Sequence, residues 1–216
     1  MLDLSVFRRI PFTAGVASGL LSYLMLFGIM FAVPFFLERS GHENPGRAGL
    51  VLTALPLALG CVAPFSGRLA EHMGTRTLTV GGMMMSAGAL MATGLIEPTG
   101  WLLAAALGAV GVGLGLFVPP NNTTIMSNAP RSQAGSASGV LNMTRGLGTA
   151  LGLTFTGLVF GAFAGGTSAS PSTGGFRAAT LFLAGIAALA IVISALPGSR
   201  SPAEPPGEPL NMDVGP

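Results

Sequence analysis

Arg145 is the one charged side chain that falls well inside an apolar stretch of this 216-residue chain, and Asn142 stands one helical turn before it. At 1.5 Å per residue Arg145 lies ~18 Å along the helix that such a stretch forms. A charge at that depth is expensive in lipid and faces a cavity or a partner. If the helix begins outside the bilayer, Arg145 is instead shallow and snorkels to the surface. Asn142 shares its face and lines the same polar path. A second polar group is the run Pro119-Pro120-Asn121-Asn122-Thr123-Thr124. Uncharged polar side chains in succession are poor lipid-facing residues. They suit a water-filled cavity, a helix–helix hydrogen-bond network or the membrane interface. Arg145, Asn142, Asn121 and Asn122 are therefore the candidate substrate-cavity residues, and their chemistry is binding and orienting a small molecule.

Nothing else in the chain offers more reactive chemistry. His42 and His72 fall between apolar stretches with no Cys, Glu or His at ligand spacing, so no metal site is expected. Cys61 is the single cysteine, which excludes an intrachain disulfide and a cysteine cluster, and it reads as a small packing residue. No serine or threonine stands in a nucleophile-elbow pattern. An enzyme is not expected, and neither is a cofactor.

The elements that position these residues are membrane spans. Half of the residues are hydrophobic and only 8% are charged, against roughly 25% in a soluble domain. Six charge-poor stretches, each near the ~20 residues that a bilayer core requires, place spans at 12–37, 48–66, 77–96, 101–128, 133–163 and 177–196. The first is too long for the h-region of a signal peptide, and more spans follow it. The expected fold is all-α: a polytopic membrane protein with a cytoplasmic flank at 1–11, a six-helix bundle over 12–196 and a disordered, proline-rich tail at 197–216. Short connections make consecutive helices antiparallel neighbours. The Gly/Ser/Thr-rich segment 164–176 reads as a flexible loop. All ten basic residues are Arg. With six spans, Arg8, Arg9, Arg68, Arg76, Arg131 and Arg200 share one side and Arg39, Arg47 and Arg177 the other, which puts both termini in the cytoplasm of a multi-pass cell-membrane protein. The net charge of +2, spread over loops, excludes a nucleic-acid partner. The bilayer is the expected one.

Glycines recur four apart at Gly15 and Gly19, Gly111 and Gly115, Gly148 and Gly152, and Gly157, Gly161 and Gly165. That spacing puts them on one helix face, where backbones approach closely. Smooth faces of this kind either pack helices tightly or let them rock.

The connection Gly67-Arg68-Leu69-Ala70-Glu71-His72-Met73-Gly74-Thr75-Arg76 reads as a charged loop, with Glu71 just before the third helix and Arg68 and Arg76 available to pair with it. It resembles the cytoplasmic signature of the major facilitator superfamily: G-x-L-A-D, a basic residue, x, G, then basic residues. Gly67, Leu69, Ala70, Gly74 and Arg76 match. Glu71 replaces the usual Asp, His72 stands where a basic residue is usual, and Thr75 replaces another. Such degeneracy resembles the copy in a C-terminal half. Asp3 to Arg8, Ala48-Gly49-Leu50 with Pro56 and Pro64, Pro120-Asn121-Asn122, Gly135 to Gly139, Asn142, Arg145, Gly148 and Gly152 are similar to the late helices of fourteen-helix drug/proton antiporters. The resemblance covers about residues 1–195.

The resemblance implies the C-terminal half of a proton-coupled exporter of drugs or hydrophobic metabolites, with Gly67, Arg68, Glu71, Gly74 and Arg76 in a cytoplasmic gating loop. It implies a second, N-terminal bundle, in cis or in trans, because substrate sites in such folds lie between repeats. The substrate would be small and hydrophobic or cationic. No Asp or Glu lies deep in a span, so proton coupling would need the other bundle. A truncated or split gene, a half-transporter with a partner, and an inactive scaffold or remnant are the competing readings.

Overall fold

The computed structural model describes residues 10–40, 45–96, 100–129, 134–163 and 171–195. Among them are six helices: α1 (Ile10–Ser40), α2 (Pro45–Met73), α3 (Thr75–Ile96), α4 (Gly100–Ser127), α5 (Ala134–Phe163) and α6 (Pro171–Ala195). All six are long and apolar enough to cross a membrane. The shortest, α3, has 22 residues and extends about 33 Å, enough for a ~30 Å hydrocarbon core. The tail at 197–216 and most of the flank at 1–11 lie outside the described residues.

Two boundaries differ from the sequence reading. The expected loop at 67–76 is helical: α2 runs to Met73 and α3 begins at Thr75, leaving Gly74 as the only link. No proline lies between Ser66 and Gly74, the one glycine there, Gly67, is carried within α2, and Gly74, at φ 83°, supplies the reversal that a side chain would resist. Its amide donates to the Ala70 carbonyl at 2.9 Å, and its carbonyl accepts from the Leu78 amide at 3.2 Å. The expected loop at 164–176 is shorter too. Pro171 opens α6, where its fixed φ and missing N–H are favourable; 164–170 lie outside the described residues.

Packing departs from chain order. α1 packs chiefly on α5 and α6, and α4 chiefly on α2 and α3. α3 also packs on α6, and α1 meets α4. The consecutive pairs α1–α2 and α4–α5 barely touch, against the expectation that short connections make them neighbours. These pairings map onto one another when α1, α2 and α3 are exchanged for α4, α5 and α6. Since successive spans alternate in direction, α1 and α4 run oppositely, and the bundle is an inverted repeat of three helices.

Glycines decide which helices meet. A methyl built on Gly111 of α4 would lie 2.3 Å from the Leu55 carbonyl oxygen of α2, and one on Gly152 of α5 would lie 2.5 Å from the Leu24 carbonyl oxygen of α1. Only bare backbones fit those two seams. Behind them, the buried side chains Met25, Ile29, Leu90, Leu107, Leu114 and Leu183 fill a single core. Phe36 of α1 stacks on Phe176 of α6 with ring centroids 4.1 Å apart. α2 and α5 flank this core and are its least covered helices. Only 11% and 22% of their most apolar windows are buried, against 56% for α1.

Candidate functional site

At the end of the bundle where α1 and α3 begin and α4 and α6 finish, four helices line a half-open cavity of about 280 Å³. Its polar wall includes Ser18 from α1, Arg76 and Thr79 from α3, Asn121, Thr124 and Asn128 near the end of α4, and Ser194 from α6. Asn121 is buried at 6% exposure. Its Nδ2 donates to the Gly15 carbonyl at 3.0 Å, and its Oδ1 accepts from the Ser18 hydroxyl at 3.4 Å. The amide thereby ties the two repeats together across the α1–α4 contact. Gly19 keeps the seam open for it, since a methyl there would lie 3.1 Å from Nδ2.

Asn122, next in sequence, points ~100° away around the helix. It is only partly buried and does not line this cavity. Asn121 belongs to both alternatives that the sequence left open, since it lines a cavity and makes a helix–helix network. Thr123 and Thr124 turn back on their own helix and donate to the Pro119 and Pro120 carbonyls at 3.1 and 2.9 Å.

Asn121→Ala removes both bonds across the α1–α4 seam. A hydrogen bond between membrane helices contributes ~0.6 kcal/mol on average. The expected loss is therefore about 1 kcal/mol of unfolding free energy, read by thermal unfolding in detergent, with Asn122→Ala unchanged. Equal effects at the two positions would show that Asn121 is not the tie.

Of the five residues of the supposed gating loop, Arg76 alone reaches the cavity. Its guanidinium donates to the Ala195 carbonyl at the end of α6, and Ser194 of the same turn donates to Thr79 Oγ1 at 3.1 Å. Together they fasten α3 to α6. Gly67, Arg68, Glu71 and Gly74 are exposed at the end of α2 and the link beyond it. Glu71 sits in the last turns of α2, not ahead of α3, because the helix continues past it. Among the described residues no ion pair joins it to Arg68 or Arg76.

Arg145 and Asn142 lie elsewhere, on the uncovered side of α5, and both are exposed. The Arg145 guanidinium sits 5.6 Å from the centroid of the Tyr23 ring of α1, within cation–π range. Tyr23, which the sequence reading passed over, is 8% exposed; it is the only tyrosine in the chain. Ser138, Asn142, Arg145 and Thr149 fall within an arc about 60° wide on α5, and Thr149 donates to the Arg145 carbonyl at 2.8 Å. The exposed Met143, Leu147 and Leu158 occupy a separate arc. α5 therefore presents one polar and one apolar face outside the bundle. The four candidates divide: Asn121 in the end cavity, Asn122 beside it, Arg145 and Asn142 on the flank. No group of three or more His, Cys, Asp or Glu among the described residues could hold a metal ion.

The family profile described as Major Facilitator Superfamily matches residues 15–211. The chain is 31% identical over 156 residues to the riboflavin transporter RibZ of Clostridioides difficile (strain 630), covering 71% of this chain and 34% of that protein. It is 27% identical over 168 residues to the multidrug resistance protein Stp of Mycobacterium tuberculosis (77% and 31%). It is 30% identical over 161 residues to the tetracenomycin C resistance and export protein of Streptomyces glaucescens (74% and 30%). The chain spans about a third of the length of these relatives.

Proposed function

Because the chain belongs to the Major Facilitator Superfamily, we propose that its six helices form the C-terminal bundle of a proton-coupled exporter of small hydrophobic drugs or metabolites. One observation carries this reading. α2 and α5 are left largely uncovered, and α5 exposes Arg145 and Asn142 near its middle. Hydrocarbon does not solvate such groups. A second bundle, in cis or in trans, would cover that flank and enclose water and substrate along it. The names of the relatives, which speak of riboflavin, tetracenomycin C and multidrug resistance, support a small organic substrate.

In this reading the protein lies in the cell membrane, and the cavity end, where α3 begins and α6 finishes, faces the cytoplasm. The arginines on that side favour this orientation. Arg76 and Asn121 then hold the cytoplasmic ends of the two repeats together, and a path from the end cavity deeper between α1 and α4 requires those helices to part at Asn121. The proton-coupling carboxylate comes from the other bundle, since Glu38 and Glu71, the acids among the described residues, lie toward helix ends.

The test uses everted membrane vesicles from cells expressing the native gene product, energised to an acid interior. A hydrophobic dye should accumulate, a protonophore should abolish the accumulation, and residues 1–216 alone should give none. Accumulation that ignores the protonophore would remove proton coupling. Full accumulation by residues 1–216 alone would remove the need for a second bundle.

A further inference from the structure

We propose that Arg145, held on Tyr23, selects anionic, electron-rich aromatic molecules at the flank that this bundle contributes to the substrate path; the inference rests on the transporter reading above. It differs from the small hydrophobic or cationic substrate that the family resemblance implies.

The depth of the charge comes first. Arg145 lies between three and four residues from the midpoint of α5, which is ~5 Å from the middle of the span if the helix is centred in the bilayer. Tyr23 is two residues from the midpoint of α1. The guanidinium rests beside that ring, so the side chain stays at mid-depth on its neighbour. A shallow arginine that snorkels to the surface would not rest on a ring at this depth.

The sign of the field comes second. Among the described residues the only acids are Glu38, in the last turn of α1, and Glu71, in the last turns of α2. Glu38 lies about four helical turns from Arg145 along the bundle and Glu71 between two and three, roughly 13 Å or more in each case. The polar neighbours on its arc, Asn142 and Thr149, are neutral. The bundle thus brings one uncompensated positive charge to a place of low dielectric, where charges act strongly on one another. A cation entering there is repelled, and an anion is attracted.

The shape of the group comes third. A guanidinium is planar, weakly hydrated and able to stack on aromatic faces. Tyr23 lies 5.6 Å to one side and the side chain is exposed, so the guanidinium plane and its N–H groups remain accessible to a ligand. A flat aromatic molecule carrying a phenolate or carboxylate uses both, by stacking on the plane and accepting hydrogen bonds at its edge.

Fluorescein and rhodamine 123 share a xanthene skeleton and differ in charge, so they test the sign directly. Their binding to the purified native-length protein is read by fluorescence polarisation, with thermal unfolding as a check on folding. The wild type should bind fluorescein more tightly. Arg145→Gln should weaken fluorescein by about 10-fold or more, equivalent to ~1.4 kcal/mol, and leave rhodamine 123 equal or tighter. Arg145→Lys should keep the preference for the anion. Equal weakening of both dyes would mean that Arg145 only joins the two bundles, and it would overturn the assignment; so would binding that ignores residue 145, or a wild type that prefers rhodamine 123. Failure of folded wild-type protein to bind either dye or the neutral dye Nile red would overturn the transporter reading and this inference with it.

Discussion

Gly111→Val drives α2 away from α4 and leaves the protein aggregated or unfolded in detergent. The contact is with backbone, which is why the effect is large. A methyl on Gly111 would lie 2.3 Å from the Leu55 carbonyl oxygen and 3.1 Å from the Ala58 Cβ, and one on Gly115, a turn later, would lie 3.0 Å from the Leu59 carbonyl oxygen. A flexible side chain yields to an intruder by changing rotamer. A helical carbonyl moves only with its helix, so α2 must shift as a body by about an ångström or more, opening the seam along its length. Overpacking of well-packed interiors costs about 1–3 kcal/mol, occasionally more, and packing is the main force joining membrane helices. Size-exclusion profiles and thermal unfolding read the loss. Gly152→Val should behave alike at the α1–α5 seam, where the Leu24 carbonyl lies 2.5 Å from the added methyl. Gly81→Ala is the control, because nothing lies within 4 Å of its added methyl and alanine is the better helix former by ~1 kcal/mol. A folded, monodisperse Gly111→Val protein with an unchanged melting temperature would show that the seam is not close-packed.

These seams also mark how far the sequence carried. Gly111 with Gly115 and Gly148 with Gly152 stand out by spacing alone, and each pair meets a neighbouring backbone. The same spacing misled at Gly157 and Gly161. Gly157 meets only the Phe31 ring at 3.5 Å, and Gly161 meets nothing, because the buried face of α5 drifts around the helix over successive turns. Four-residue spacing marks a small face, and whether a partner lies on it is decided by tertiary packing. The six spans were legible because hydropathy is summed over ~20 residues and tolerates local error. The link at 67–76 was not, since its charges and Gly67 suggested a loop, although α2 carries Gly67 within it and ends only before Gly74. Arg145 and Asn121 were legible as unusual residues in apolar surroundings. Their partners, Tyr23 and Ser18 with Gly15, stand 122 and more than 100 positions away in sequence, and no local pattern announces them. The end cavity is of the same kind, for its wall is assembled from the ends of four helices.

Thr156→Val raises the stability of the bundle, although it removes a polar group from a polar-looking position. Thr156 is fully buried on α5. Its hydroxyl is the one buried side-chain oxygen or nitrogen among the described residues without a hydrogen-bond partner. Other threonines of the bundle return their hydroxyl to the carbonyl four residues earlier: Thr144 to Val140 at 2.7 Å, Thr93 to Ala89 at 2.7 Å and Thr180 to Phe176 at 3.0 Å. Thr156 Oγ1 instead faces the backbone of α1 at Gly28, where an added methyl would stand 2.5 Å from it, beside Leu183 of α6. A buried hydroxyl left unsatisfied costs about 1–3 kcal/mol. Valine fills nearly the same volume and keeps the branched Cβ, so packing against Gly28 is retained while that cost disappears. A gain of about 1 kcal/mol is expected, read as a rise of roughly 2–4 °C in melting temperature. Thr156→Ala should lower stability, because it deletes the methyl that packs at the α1–α5–α6 junction as well as the hydroxyl. If Thr156→Val destabilises as much as Thr156→Ala, the hydroxyl has a partner, and a water held between α1 and α5 then belongs to the core. If the valine variant is the more stable, the junction is dry, and the Thr156 hydroxyl adds nothing to the packing of α1, α5 and α6.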